Sequence, residues 1–244
     1  MSFLLYAVPR YVYSGGLNGT LLYIILIIPA LLFSVAAQIA VKNSYAKFSE
    51  VYSKSGYSGA QAAYAVLRFY GINNVRIEQC SGKLTDHYDP KTNVIRLSEG
   101  VYSSTSVAAI GIACHEAGHA AQHAENYVPI RARNMILPVC RIGSYAGIPL
   151  AMLGFFLSFE PLVSFGLLLY SFIMIFQLVT LPVEINASRR AVAVIEQTGL
   201  IRNDEELNGV KKVLRCAALT YVASLAVSLA NLLRLIITFT RRRR

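Results

Sequence analysis

Val107-Ala108-Ala109-Ile110-Gly111-Ile112-Ala113-Cys114-His115-Glu116-Ala117-Gly118-His119 is the stretch on which the reading of this chain turns. Its apolar lead, Val107 to Cys114, falls far short of the ~20 residues needed to cross a bilayer, so this helix stands outside a membrane. Ser103, Ser104 and Ser106 offer N-caps, and the spacing predicts a helix over roughly 105–125. His115 and His119 lie four apart and share a helix face, so both imidazoles can bind one ion. Glu116 sits beside the first ring, where it can reach a water on that ion, the pattern H-E-x-x-H. With four His and ten Glu in 244 residues, a shuffled chain would contain it with a probability of roughly 0.003. A helix that carries two histidines for packing alone is the bland alternative, and the metal reading outweighs it.

Outward from this helix the chain turns apolar. Hydrophobic residues make up 55%, charged residues only 15%, and the mean hydropathy is +0.48. This excludes an ordinary soluble domain. No charge occurs between Arg10 and Lys42, Arg141 and Glu160, Glu160 and Glu184, or Arg215 and Arg234. Each run is about long enough to span a bilayer, and the spans are read near 20–41, 143–159, 162–181 and 216–238. The first is expected to be a retained anchor rather than a signal peptide, because its apolar stretch is too long and only Arg10 precedes it. Tyr6, Tyr11, Tyr13 and Tyr23 near it have the character of interfacial rings. The four cysteines (80, 114, 140, 216) form no CxxC pair and suit a reducing compartment.

The net charge of +10 points to membrane topology rather than to nucleic acid, because the basic residues lie between apolar runs. Residues 42–142 and 182–215 together hold seventeen Lys and Arg, and the turn at Glu160-Pro161 holds none. A hairpin of spans returns the chain to the side it left, so both basic segments share one compartment, which the positive-inside rule makes the cytoplasm. Arg241 to Arg244 oppose this if 216–238 fully crosses; an interfacial or re-entrant last helix would remove the conflict. The expected organisation is 1–42 as N-terminal segment and first span, 43–142 as the first part of a catalytic domain, 143–181 as a helical hairpin, 182–215 as the second catalytic part, and 216–244 as a last hydrophobic helix with a basic tail.

Within 43–142, residues 43–74 read as helix, with a run starting at Ser58-Gly59 and stopping at Gly71. Two strand signals follow, Val75 to Ile77 and Asn93 to Ser98, joined through 84–90, with turn chemistry at Asp89-Pro90-Lys91-Thr92. The strand before the metal helix is a candidate edge for pairing an extended substrate. A catalytic zinc takes three protein ligands and keeps a fourth position open. His123 lies eight residues from His115, about 12 Å of helix rise, too far to join both histidines on one ion. It reads instead as a neighbour of the site or a surface histidine. Asp86 and His87 are rivals. Glu184 is the better candidate, with Pro182 suited to the first turn of a helix leaving the membrane and Ser188 on the face of Glu184, able to orient a ligand. Glu196, Glu205 and Glu206 read as solvated surface. The oxyanion donor stays open among Arg189, Arg190, His123 and His87.

Leu84–Pro90 (LTDHYDP), His115–His119 (HEAGH) and Pro182–Ala191 (PVEINASRRA) together resemble the membrane-bound neutral zinc metallopeptidases of bacteria, the YugP-like family. The likeness covers almost the whole chain, spans included. It implies a mainly α integral membrane protein with about four hydrophobic helices and a zincin-like α+β part, in which a short strand hairpin precedes the H-E-x-x-H helix. It also implies a gluzincin-type site with one Zn²⁺ per chain held by His115, His119 and Glu184, and with Glu116 as catalyst. The implied reaction is hydrolysis of a polypeptide substrate by a zinc-activated water, in a bacterial cell membrane and in the setting of membrane protein quality control. The third motif is also similar to the Glu-x-x-x-Asp helix of HtpX-like and CAAX-processing proteases, but Ser188 replaces their Asp, which weakens any transfer of substrate preference. The competing class is a zinc-binding membrane scaffold or adaptor without proteolysis.

Overall fold

A computed structural model describes residue 21 and residues 23–240. Tyr6, Arg10, Tyr11, Tyr13 and Arg241 to Arg244 lie outside the described residues. In chain order the elements are α1 (Ile28–Ser49, led by a π-helical turn Tyr23–Ile27), α2 (Gly59–Phe69), β1 (Arg76–Cys80), β2 (His87–Asp89), β3 (Val94–Ser98), the one-turn α3 (Glu99–Tyr102), α4 (Val107–Ala124), α5 (Val128–Phe156), α6 (Glu160–Thr198) and α7 (Asp204–Thr240). The chain is mainly α with a small three-stranded sheet. Among the described residues, four helices are long and apolar enough to cross a membrane: Tyr23–Ser49, Val128–Phe156, Glu160–Thr198 and Asp204–Thr238.

Two compact units emerge. The first comprises, among the described residues, 23–35, 138–175 and 223–240. In it α5 and α6 form a hairpin that turns at Ser158, which adopts φ 55°. A Cβ at Gly166 would lie 2.5 Å from the Ala151 nitrogen and 2.6 Å from the Gly147 oxygen, so the two backbones touch where only glycine fits. The Cys140 thiol donates to the Phe172 carbonyl at 3.1 Å across the same pair. Phe165 and Leu168, on the outward side of the hairpin, are exposed, as lipid-facing residues would be.

The second unit, residues 36–137 and 176–222, carries the catalytic candidates. Its core buries Val66, Leu67, Ile95, Leu97, Ile110, Ala113, Ala117 and Ile195. The expected single helix over 43–74 is broken. α1 ends at Ser49, a loop with Gly56 at φ 71° follows, and Ser58 starts α2 through a capping box with Gln61. Glu206, expected as solvated surface, is buried. It accepts hydrogen bonds from the Ser53 hydroxyl (2.6 Å) and the Lys54 amide (3.3 Å), so this interhelical loop supplies its partners.

The sheet order is β1-β3-β2. β1 runs parallel to β3, and β2 pairs antiparallel with β3, making the short hairpin before α4. The turn between them is closed by Asp89, whose carboxylate accepts from the Lys91 amide (3.0 Å) and the Thr92 hydroxyl (2.8 Å). The segment 87–89, expected as a linker, is thus a strand. β3, expected to offer an edge, is instead the paired central strand with Val94, Ile95, Leu97 and Ser98 buried, and the outer strands are β1 and β2. An apolar, two-sided strand such as Val94–Ser98 gains most from a position covered on both flanks.

Pro182 also departs from expectation. It lies inside α6, which runs unbroken from Glu160 to Thr198, so the third ligand sits on the continuation of a candidate span rather than on a new helix. Proline removes one helical hydrogen bond without ending the helix when neighbouring elements hold the chain on both sides.

Candidate metal centre

α4 begins where expected: Ser106 is its N-cap and accepts from the Ala109 amide at 3.2 Å. The helix carries His115 and His119 on one face, their ring centroids 4.7 Å apart. α6 packs against that face at Gly118, where a Cβ would lie 2.7 Å from the Ala187 carbonyl oxygen. Only glycine allows this approach, and it brings Glu184, one helical turn before Ser188, up to the histidines. The Glu184 Oε2 atom is 3.3 Å from His115 Nε2 and 3.5 Å from His119 Nε2. One ligand atom from each of His115, His119 and Glu184 lies within 4.8 Å of the other two.

The hydrogen bonds behind these residues fit a cation. The Gln122 amide nitrogen donates to the Val183 carbonyl (2.8 Å) and to Asn186 Oδ1 (2.9 Å). Its oxygen is therefore left to accept, and His119 Nδ1, 3.0 Å away, must donate to it. That fixes the tautomer and leaves the Nε2 lone pair toward Glu184. His115 Nδ1 meets the Ser188 hydroxyl at 3.1 Å, the same arrangement with a weaker partner. Two imidazole lone pairs and a carboxylate converging at this distance repel one another unless a positive charge sits among them. Burial drives the His119 pKa down, but the hydrogen bond to Glu184 and the charges of Glu116 and Glu184 outweigh it, so the net shift is upward. The site attracts positive charge, as a metal pocket should.

Two cavities meet at these residues, and His115, Glu116, Glu184 and Tyr221 line both. One, about 220 Å³, is polar and adds His87, His119, His123 and Arg133. The other, about 170 Å³, is mostly apolar and adds Leu84, Ile112 and Leu214. Arg133 Nη1 lies 3.5 Å from Glu184 Oε1, the oxygen turned away from the histidines.

The sequence candidates separate accordingly. His123 stands in the polar cavity, edge-on to Tyr88 at 5.5 Å, with its pKa lowered by burial and by the nearby charges of Arg133 and His119. His87 also faces that cavity, its Nδ1 2.8 Å from the Thr85 carbonyl. Asp86 lines both cavities but accepts from the Ser98 amide (2.7 Å) and hydroxyl (3.1 Å) and lies outside the ligand cluster. Arg190 is a brace: it pairs with Glu125 at 2.7 Å, donates to Asn186 at 2.8 Å and lies over Tyr70 and Tyr127. Arg189 lines a separate groove with Lys211 and Arg215, on another side of α6 from the ligand cluster. Gln122, Arg133 and Tyr221 were not singled out from the sequence. Gln122 had a signal, since it follows His119 by one turn; Arg133 and Tyr221 had none, because only the tertiary structure brings α5 and α7 to the site.

Residues 23–240 match the family described as "Putative neutral zinc metallopeptidase". The chain belongs to this neutral zinc metallopeptidase family. Within it, the chain is 47% identical over 219 residues to "Putative membrane protease YugP" of Bacillus subtilis (strain 168), covering 90% of this chain and 97% of that protein. No solved structure matches the chain. A zinc peptidase family, a membrane-protease relative and a His-His-Glu cluster agree with one another.

Proposed function

We propose that this protein is a membrane-bound zinc metalloendopeptidase of gluzincin type, with His115, His119 and Glu184 holding one zinc ion and Glu116 as catalyst. The observation that carries the reading is the convergence of those three ligand atoms within 4.8 Å, on two helices locked together at Gly118. A zinc ion held there would polarise the substrate's scissile carbonyl and lower the pKa of a water toward ~7. Glu116, buried in the wall of both cavities, takes the proton of the attacking water and passes it to the leaving amine. Tyr221 and Arg133, which line the polar cavity with Glu116, are assigned as oxyanion donors in place of Arg189 and Arg190, which are engaged in other contacts. The outer strand β2, lining the polar cavity through His87 and Tyr88, offers its edge to an extended substrate.

The substrates we infer are unfolded or membrane-anchored polypeptides, in keeping with a role in membrane protein quality control. The catalytic unit is assigned to the cytoplasm, supported by the seventeen basic residues of 42–142 and 182–215. Cysteines placed at Lys54 and Asn203 should resist an impermeant thiol reagent in intact cells, and one at Ser158 should react; the reverse pattern places proteolysis outside.

The deciding experiment is turnover of an unfolded or membrane protein by zinc-loaded wild type and Glu116→Gln. Gln keeps the size and removes the base, so hydrolysis should fall by about 10²–10⁴-fold with zinc content and fold unchanged. Equal turnover by the two removes Glu116 from the chemistry. Zinc binding without turnover by wild type favours a non-proteolytic scaffold.

A further inference from the structure

The apolar cavity beside the catalytic residues has the dimensions of a single side chain. It holds about 170 Å³, close to the ~150 Å³ of an engineered protein cavity that binds one benzene molecule. Its apolar wall is Val41, Leu84, Ile112, Leu214, Ala217 and Ala218, and its other face is His115, Glu116 and Glu184. Of the other polar groups at the cavity, which include Tyr45 and Tyr221, Ser188 is engaged with His115 and Asp86 with Ser98. A polar side chain entering here would lose water and gain few partners, whereas an apolar one loses nothing.

Leu84 is the second observation. It sits at the cavity with 46% of its surface exposed and with φ 56°, a backbone conformation that a bulky residue adopts only against strain. Strained residues of this kind gather where a ligand is clamped. An exposed leucine held in this conformation next to an apolar hollow leaves an apolar surface incomplete until something fills it.

We propose that this cavity receives one large apolar side chain, aromatic or branched aliphatic, from the residue flanking the scissile bond of the polypeptide substrate. The inference rests on the peptidase reading above, and it names the substrate class that reading leaves open. Because Glu116 and the metal ligands form one wall, the residue whose side chain enters the cavity must carry its backbone past the reacting atoms. The neighbouring cavity, polar and open to β2, takes the backbone and the less demanding positions.

The test uses full-length, zinc-loaded protein in lipid nanodiscs and two peptides that differ only in Phe or Ala beside the cleaved bond. Wild type should prefer Phe by about 100-fold or more in kcat/KM, since each methylene in such a pocket is worth roughly 10–200-fold. Ala217→Leu, which fills the cavity from α7, should cut that preference at least tenfold, with the loss falling on the Phe peptide. Ile112→Ala should widen the cavity and improve cleavage of a third peptide, with naphthylalanine at that position, relative to the Phe peptide. Equal cleavage of Phe and Ala peptides by wild type, or an equal loss of both in Ala217→Leu with zinc content intact, overturns the proposal. A binding arm separates this from failure of the peptidase reading. If no peptide is cleaved, a phenylalkyl hydroxamate should still raise the melting temperature of wild type more than acetohydroxamate does, and Ala217→Leu should erase the difference. Equal shifts for the two hydroxamates in wild type overturn it as well.

Discussion

The α5–α6 hairpin and the catalytic unit both bring helices together at a glycine, and they use the contact for different ends. At Gly166 the backbones of two apolar helices touch, with Phe165 and Leu168 left outward. Between helices in lipid, apolar side chains gain little by meeting each other, so close backbone packing carries the association. At Gly118 the neighbours are a buried core of Val, Ile and Ala, and the contact decides where Glu184 stands relative to two histidines. The first glycine sets how well a pair of helices packs. The second sets a donor geometry, where a shift of a few tenths of an ångström changes what can bind.

The largest effect that would break this contrast is loss of a ligand. Glu184→Ala should leave a two-histidine site and reduce bound zinc from one per chain to a small fraction, measured by metal analysis after dialysis. If His123→Ala or His87→Ala strips the metal and Glu184→Ala does not, the donor set is wrong. Next come the residues behind the ligands. Gln122→Ala frees the His119 ring to rotate and should weaken zinc affinity by about 10–100-fold, with Ser188→Ala at the lower end because a hydroxyl orients less firmly than a pinned amide. Equal affinity in all three proteins would mean that helix packing alone positions the rings.

The smallest effects sharpen the comparison most. Gly118→Ala and Gly166→Ala should each cost about 1–3 kcal/mol of stability through overpacking, read from chemical denaturation in lipid or detergent. Only Gly118→Ala should also lower zinc affinity, by several-fold. A matching loss in Gly166→Ala would show that the hairpin and the site are energetically one body.

Much of this was legible before any coordinates. The spans follow from charge-free runs, the N-cap from Ser106, and the two histidines from their spacing on a helix too short of apolar residues to be a span. Glu184 could be favoured because Pro182 and Ser188 flank it on one helix, whereas Glu196, Glu205 and Glu206 lie in polar sequence. The same reasoning failed where a partner came from a distant segment. Glu206 looked solvated because nothing local shows that Ser53 and Lys54 approach it. The segment 87–89 looked like a linker because three residues give too short a pattern to reveal a strand, and its pairing is decided by β3.

The sequence by itself determined an apolar chain with four candidate spans and an H-E-x-x-H helix too short of apolar residues to be one of them, because charge-free length and helical periodicity are properties of consecutive residues. Only the tertiary structure decided that α4 meets α6 through Gly118, that β3 is the central strand with β1 and β2 as edges, and that Arg133 and Tyr221 line the cavity of the His-His-Glu cluster. These depend on contacts between segments tens of residues apart, set by which backbones can approach and which buried polar atoms still need partners, and no local pattern records them.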